Sequence, residues 1–481
     1  MKKITLFLLL LPMYGTSQTQ IGQNIFGDAG GDELGKSTSI SSNGNIIAVG
    51  APYNNGNGTW SGQVKVYQNI GEEWTQLGQN IEGNEYDSLG YSVSLSSDGN
   101  IFAVGLERNN NLNGNASGAV RVFENIGNVW TQIGEDIIGA NSNDRFGSSV
   151  DLSSNGEILA VGARLNSDNG MFSGHVKIYN FSNNTWTQIG QDINGESDGS
   201  GLGDRIALSS DGNTVSIAST NNRVEVFKNI SGIWTQLGED INTNVRSVSI
   251  SSAGNIIAIG QPSYGLFSLG RTQVFEFSEN SWVQIGNDII GQYSLIKSGT
   301  NISLSENGYR VAISAPDYGG NNSNTPFING QVRVFDYING EWIHWTDING
   351  PSAPSEFGYS ISLSSDGDSV LIGCPYYSGS SSTRERGSAK VYNINETNLS
   401  VEEVLNSNIS TILFPNPTKN NFTIQFDYHI KLEKIKIYNT LGQLLLTSKK
   451  PTINNLKLTS GNYIVEISTN NGKIYKNLII K

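Results

Sequence analysis

The sequence predicts an all-β chain, a seven-bladed β-propeller closed by its own N-terminal strand and followed by a small immunoglobulin-like β-sandwich. Three observations predict it: a composition suited to short strands and turns, a tryptophan-bearing segment that recurs along most of the chain, and one repeat unit divided between the two ends.

The 481 residues contain 56 Gly, only 15 % charged residues and 37 % hydrophobics. Such a mixture fits many short strands joined by turns. Apolar residues alternate with period two throughout, and no long stretch has the i, i+3, i+4, i+7 spacing of an amphipathic helix. The net charge of −13 argues against nucleic acid as a partner, because a phosphate backbone is bound through clustered Lys and Arg. From Thr411 onward ten Lys face three acids, so that segment is near +7 and the remainder near −20. Two domains of different history are implied.

Met1-Lys2-Lys3 and the apolar run Ile4–Met13 have the form of a signal peptide, with Gly15 and Ser17 as small residues for cleavage before Gln18. A membrane anchor is the alternative, but the run is shorter than the roughly 20 apolar residues needed to span. No later segment qualifies, so no transmembrane segment is expected in the mature chain. Cys374 is the only cysteine, which rules out an internal disulfide and leaves stability to core burial and sheet closure.

Trp74-Thr-Gln-Leu-Gly recurs at Trp130, Trp186, Trp234 and Trp282, with a degenerate copy at Trp342-Ile-His-Trp-Thr. Each copy (segment D) follows three others. In the second unit segment A is Tyr91-Ser-Val-Ser-Leu, alternating as a half-buried strand does. The Asp98-Gly99 turn leads to segment B, Ile101-Phe-Ala-Val-Gly, whose small residues suit an inner strand near a crowded axis. Segment C is Ala119-Val-Arg-Val-Phe. Starts of segment A near Gly35, Gly90, Gly147, Gly203, Arg246, Thr300 and Gly358 make seven units. The seventh lacks a segment D, and Thr19-Gln-Ile-Gly-Gln-Asn-Ile25 copies Thr75-Gln-Leu-Gly-Gln-Asn-Ile81 almost residue for residue. Pairing of that first strand with the last three would close a ring and remove the aggregation-prone edges of an open array. An open solenoid of the same repeats is the alternative, and it gives no reason for the split.

Phe146-Gly147 opening segment A, with Gly50-Ala51-Pro52 or Ser314-Ala315-Pro316 ending segment B, resembles FG-GAP repeats, the units of integrin-type propellers. The resemblance covers residues 19 to 394. Several units carry Leu-Gly instead, the fifth and sixth lack the pair, and Gly373-Cys374-Pro375 replaces Gly-Ala-Pro. Integrin-like propellers place calcium in Asp-rich loops between B and C, and the nearest match is Asn166-Ser167-Asp168-Asn169-Gly170, with one carboxylate. Calcium there and a plain polar loop both stay open; no other cofactor is expected.

After a polar linker (395–410), Leu413-Phe414-Pro415-Asn416-Pro417 opens about seventy residues of short alternating strands, containing Tyr438-Asn-Thr-Leu-Gly442 and Gly461-Asn-Tyr463. This segment resembles the C-terminal sorting domains of the bacterial type IX secretion pathway. It implies export through the periplasm, recognition by that machinery, and a secreted or outer-membrane-attached product, with the tail removed or retained as an anchor. An ordinary adhesive sandwich is the bland alternative. The expected domains are a signal peptide (1–17), the propeller (18–394), the linker (395–410) and the sorting sandwich (411–481).

No catalytic constellation emerges. His175, in segment C, reads as an exposed repeat position; His344 and His429 pair with nothing at metal-ligand spacing; Cys374 reads as a small buried residue. Asp32, Asp87 and Asp144 each precede an opening Gly by three residues and read as turn-stabilising carboxylates. The repeated Trp residues read as packing. In an up-and-down unit the B-to-C and D-to-A loops share one face, and the B-to-C loops vary most in length. Binding residues concentrate on such loops. The candidate ligand face is therefore Tyr53, Trp60, Arg108, Arg164, Phe172, Tyr264, Phe267, Tyr318, Phe327, Tyr376, Tyr377 and Arg384. The expected function is an exported, monomeric binding or adhesion protein for an extracellular protein or glycan, with a polymer hydrolase active at the channel mouth as the rival.

Overall fold

The computed structural model describes residues 18–318, 329–351, 355–378, 385–395, 411–415, 418–419, 421–426, 431–439, 444–469 and 472–480. The expected signal peptide, nearly all of the linker, and Phe327, Arg384, Asn416, Pro417 and Gly442 lie outside these residues. The chain divides into two compact units, Met1–Glu396 and Thr397–Lys481. Among the described residues every element is a strand and all strand pairing between them is antiparallel. No helix in them is long and apolar enough to cross a membrane.

The first unit contains seven sheets in the A-B-C-D order. In the second sheet, for example, Leu89–Leu95, Ile101–Leu106, Ala119–Ile126 and Val129–Gln132 are hydrogen-bonded in succession. The seventh is completed from the other end of the chain. Thr19–Phe26 lies against Ser388–Asn393, with Gln20 opposite Tyr392, Ile21 opposite Val391 and Ile25 opposite Ala389. In five sheets segment D is interrupted at its Gly, and a two-residue strand such as Ile81–Glu82 returns to pair with the start of segment C. That return corrects the expectation for His175. It is buried at 1 % exposure, between Ala163 and Asn194, because the second half of segment D covers the position. Burial pushes its pKa down to about 4, with Lys177 adding to the effect.

Sheets are joined by three sets of contacts. At the A-to-B turns, backbone N–H groups donate from each sheet to a carbonyl of the next: Ser42 to Ser97 (2.8 Å), Ser97 to Ser154 (2.9 Å), Ser154 to Ser210 (2.8 Å), Ser210 to Ser252 (3.1 Å), Ser252 to Glu306 (2.9 Å), Glu306 to Ser365 (2.9 Å) and Ser365 back to Ser42 (3.0 Å). One turn deeper, the oxygen at the fourth position of segment A accepts the amide of the next sheet, as Ser39 does from Leu95 (2.9 Å) and Ser94 from Leu152 (3.0 Å). Ser249, Ser303 and Ser362 repeat the bond, and Asp151 takes the role in the third sheet. Ala207 stands there in the fourth sheet and has no oxygen to offer. Apolar clusters fill the spaces between sheets, one for each neighbouring pair, including a cluster in which Ile25, Leu371 and Val391 of the seventh sheet pack on Ile47, Val49 and Trp74 of the first. The small residues ending segment B are required by this packing: a Cβ on Gly105 would collide with the carbonyl oxygen of Gly147 in the next sheet.

Each tryptophan of segment D ties its sheet to the preceding one. Trp74 Nε1 donates to the Ile21 carbonyl (2.9 Å), Trp130 to Leu77 (2.7 Å), Trp234 to Ile189 (2.9 Å), Trp282 to Leu237 (2.8 Å) and Trp342 to Ile285 (3.0 Å). The split seventh unit has Gln18 where the others have Trp, so the seam with the sixth sheet lacks this bond. The degenerate sixth segment supplies a replacement: Trp345, in place of the usual Leu or Ile, donates to the Ile394 carbonyl (2.8 Å) and packs on the cluster containing Val370, Ile372 and Ile394.

In the second unit Thr411–Phe414, Phe422–Phe426 and Thr452–Ile453 form one sheet, and Leu432–Asn439, Leu444–Ser448, Gly461–Thr469 and Gly472–Ile480 a second. Both contribute to one core of Phe422, Ile424, Ile435, Ile437, Val465, Ile467 and Leu478, as two stacked sheets do. Tyr463 is buried there and its hydroxyl donates to the Thr459 carbonyl (2.7 Å).

Replacing Trp345 by Leu, the residue natural to that repeat position, removes both the seam hydrogen bond and much buried ring area. We expect a loss of about 2–3 kcal/mol in urea-unfolding stability. An unchanged midpoint would show that Trp345 does not replace the missing tryptophan.

Candidate functional site

The site is built at the end of segment A opposite the A-to-B turns, where the D-to-A and B-to-C loops meet. Three conserved-in-register clamps hold these loops together. Asp32 accepts from the Ala29 amide (2.8 Å) and Asn54 Nδ2 (3.0 Å), Asp87 from Asn84 (2.8 Å) and Asn109 (2.7 Å), and Asp144 from Asn141 (3.0 Å) and Asn166 (3.0 Å). These carboxylates are buried and each accepts two hydrogen bonds across the loops, a structural role. Asp168 accepts from Asn141 (2.9 Å) and Asn166 (3.0 Å), and no group of three His, Cys, Asp or Glu among the described residues could hold a metal.

A central cavity of about 220 Å³ opens at this end, lined by the start of segment A from every one of the seven units. Its ionisable cations are Lys36, Arg205 and Arg246, its phenols Tyr91 and Tyr359, and the rest of its polar lining is Ser, Thr and Asn. Around it runs a network of ion pairs. Glu107 meets Arg145 (3.1 Å), Arg108 (3.6 Å) and Arg164 (3.9 Å); Asp204 meets Arg246 (2.9 Å), Arg205 (3.6 Å) and Arg164 (3.7 Å). Burial would raise the Asp204 pKa, but Arg205, Arg246 and Arg164 together hold it below the usual carboxylate range. Arg246 is pulled below the usual guanidinium value, first by the charge of Arg205 and then by burial. Burial opposes the charge on Lys36, yet Tyr359, Tyr376 and Glu33 outweigh it and its pKa is raised. Burial, with the charge of Glu107, pushes Tyr91 up.

Lys36 is the link to the rim. Its Nζ lies 4.4 Å from the ring centre of Tyr359, 5.0 Å from Tyr376 and 5.7 Å from Tyr53, pairs with Glu33 (3.0 Å) and donates to the Tyr376 hydroxyl (3.0 Å). From Tyr53 the aromatic series continues edge-to-face to Trp60 (6.2 Å) and Tyr86 (6.3 Å), and Arg108 lies over Trp60 at 5.3 Å. Trp60 and Tyr86 are exposed and both adopt positive φ, 49° and 67°, which aims them out of tight loops.

Of the residues expected at a ligand face, Tyr53, Trp60, Arg108, Arg164 and Tyr376 thus join one surface that runs into the cavity. Phe172, on the third B-to-C loop, and Tyr264 and Phe267, on the fifth, are exposed, with Arg271 lying over one face of Tyr264 (3.9 Å); Tyr318 tilts on Tyr293 (5.9 Å). Tyr377 packs inward, stacked on Phe26 (6.0 Å) and against the core of the seventh sheet. Reasoning from loops missed Lys36, Tyr86, Tyr91, Arg205, Arg246 and Tyr359. The signal was in the register: the second residue after the opening Gly is Ser in five units (37, 92, 149, 247 and 360) but Arg at 205, and the residue before it varies freely. Cys374 is fully buried, and burial pushes its thiol up to about 12, so it is not a nucleophile near neutrality.

With this geometry in view, two family models match the chain. The FG-GAP repeat matches residues 139–179, and the secretion system C-terminal sorting domain matches residues 412–481. The protein is therefore one exported by the type IX system to the cell surface or extracellular space. Among curated proteins the chain is similar to an ulvan lyase, NLR42 of Nonlabens ulvanivorans, 34 % identical over 94 residues. That stretch is 18 % of this chain and 17 % of the relative.

Further down the channel, Asp151 accepts from the Leu208 amide (2.7 Å) and the Ser94 hydroxyl (2.8 Å). Burial pushes its pKa up to about 6 against those bonds. A carboxyl raised in the folded state holds its proton where the unfolded chain, near 3.9, has lost it. Stability therefore falls as pH rises from about 4 to about 6 and is level above. Asp151→Ser, the residue of five other units, should remove that part of the slope in thermal melts compared at pH 4 and pH 7. A variant with the wild-type slope would show that Asp151 is not the group responsible.

Proposed function

We propose that the first unit is a seven-bladed β-propeller, residues 18–394, behind a cleaved signal peptide (1–17), and that the second, after the linker, is an immunoglobulin-like sorting domain read by the secretion machinery. The exported chain works outside the cell as a binding or adhesion protein, using the face that carries the B-to-C loops. The observation that supports this most is the continuous series Tyr376–Lys36–Tyr53–Trp60–Tyr86, which spreads over three sheets and leaves two large rings exposed. Exposed aromatics on a rigid frame give contact area at small entropic cost and are favoured in recognition surfaces.

The rival, a polymer-degrading enzyme at the channel mouth, has weaker support. General acid–base work near neutrality needs a group that titrates there. At the mouth Lys36 and Tyr91 are pushed up and Asp204 down; Glu356, raised by burial and the charge of Asp317, is the carboxyl there that moves toward neutrality. The relative's name brings a lyase to mind, but over a sixth of its length that is a reason to assay turnover, not to assign it.

Trp60→Ala with Tyr86→Ala should cut binding of the extracellular ligand at least tenfold, measured on the full chain against a glycan array and surface extracts, while shifting the melting temperature by no more than a degree or two. Undiminished binding would discard this face; release of shortened polymer by the wild-type chain would favour the enzyme.

A further inference from the structure

The channel has two ends of opposite sign. Three cations and no carboxylate line the cavity at the loop face, in a protein whose net charge is −13. At the A-to-B end the corresponding hollow is lined by Asp151 and Glu306 and no Lys or Arg. Lys36 pairs closely with Glu33 (3.0 Å) and Arg246 with Asp204 (2.9 Å), whereas Arg205 is the loosely paired cation of the three. Asp204 serves both Arg205 and Arg246 from outside the lining, and its contact to Arg205, at 3.6 Å, is longer than a charge-assisted hydrogen bond. Arg205 also departs from the repeat. The serine at that position elsewhere donates to a carbonyl of the next sheet, as Ser37 does to Gly90 (2.8 Å), Ser149 to Gly203 (2.7 Å) and Ser360 to Gly35 (2.8 Å). The fourth unit gives up this bond and places a guanidinium in the channel instead.

We propose that Arg205 and Arg246, with the hydroxyls of Tyr91 and Tyr359, form an oxyanion site for the sulfate or carboxylate groups of an acidic polysaccharide. The inference rests on the reading of the loop face as a binding surface and names the class of ligand. Guanidinium groups pair with oxyanions through two parallel N–H bonds, and phenols add donors beside them. Repulsion between the two arginines, which already depresses Arg246, is relieved when an anion enters. A cavity of about 220 Å³, open at the loop face, has room for one sugar-sized group rather than a folded partner. The exposed Trp60 and Tyr86, reached from Lys36 of the lining through Tyr53, present flat apolar faces of the kind that pack on pyranose rings, so the remainder of the polymer leaves across the rim.

The test uses the full chain, immobilised, with dextran sulfate, polygalacturonate, neutral dextran of matched length and polyglutamate as probes. The wild type should bind dextran sulfate or polygalacturonate at least tenfold more tightly than dextran, with affinity falling as salt rises, and the stronger of the two identifies the oxyanion. Arg205→Ser with Arg246→Thr, residues that other units carry at these positions, should abolish that preference while the chain keeps its wild-type β-sheet circular dichroism spectrum. Lys449→Gln with Lys450→Gln removes as much charge from the exposed basic tail and should change nothing. Loss in the tail variant with none in the channel variant would overturn the site, and polyglutamate bound as well as the sugars would overturn the polysaccharide. If neither acidic sugar binds while Trp60→Ala with Tyr86→Ala still abolishes capture of another ligand, the oxyanion site fails and the binding face stands. If that pair of substitutions affects no ligand, the face itself fails.

Discussion

Everything in the larger unit depends on the chain returning to its own beginning. Thr19–Phe26 pairs with Ser388–Asn393, and this single act converts seven sheets in a row into seven sheets each with two neighbours. The circuit of amide-to-carbonyl bonds from Ser42 to Ser365 and back can exist only if the first and last units meet. Each bond contributes about 1 kcal/mol net, so the circuit is a modest stabiliser by itself. Its larger effect is on geometry: seven A-segments converge on one axis, and their opposite ends form the wall of one cavity.

Closure also explains irregularities that would otherwise look like decay of the repeat. The seventh unit, completed by the N-terminal strand, carries Gln18 at the position of the segment-D tryptophan. The sixth unit compensates by placing Trp345 one bulge further along, where it reaches Ile394. Gln18 itself donates to the Asp347 carbonyl (2.8 Å) and accepts from Thr346 (3.2 Å), so the substituted residue still ties the seam. The degenerate Trp-Ile-His-Trp is thus a joint.

Much of the architecture was legible because repetition is a strong signal: seven copies of a turn-strand pattern identify strands, their order and the missing one without any knowledge of side-chain contacts. The sorting tail was legible from motifs. His175 was misjudged because a two-strand view of segments C and D leaves it outside, whereas the break at the D-segment Gly returns Ile193 and Asn194 over it. The aromatic rim was partly legible from loop composition. Its cationic centre was not, because Arg205 opens a strand and Lys36 and Arg246 each stand just before one, in segments that read as scaffold, and only alignment of the units residue by residue sets them apart.

That alignment separates two kinds of position within one short strand. The fourth residue of segment A must offer an oxygen to the next sheet; it is Ser in five units, Asp in one, and lost only at Ala207. Arg246 and Lys36 occupy the first position, which makes no such bond and holds Lys, Tyr, Ser, Asp, Arg, Thr and Tyr in turn. A repeat protein can diversify only where its neighbours do not need it. Here that freedom falls on the ring of residues facing the channel mouth. The one exception, Arg205, has taken over a bonding position, giving up a link between sheets to add a charge beside Arg246. The same unit also lacks the bonding oxygen at Ala207, so its two departures from the scaffold pattern lie in one short strand, and one of them is the guanidinium on which the proposed oxyanion site rests.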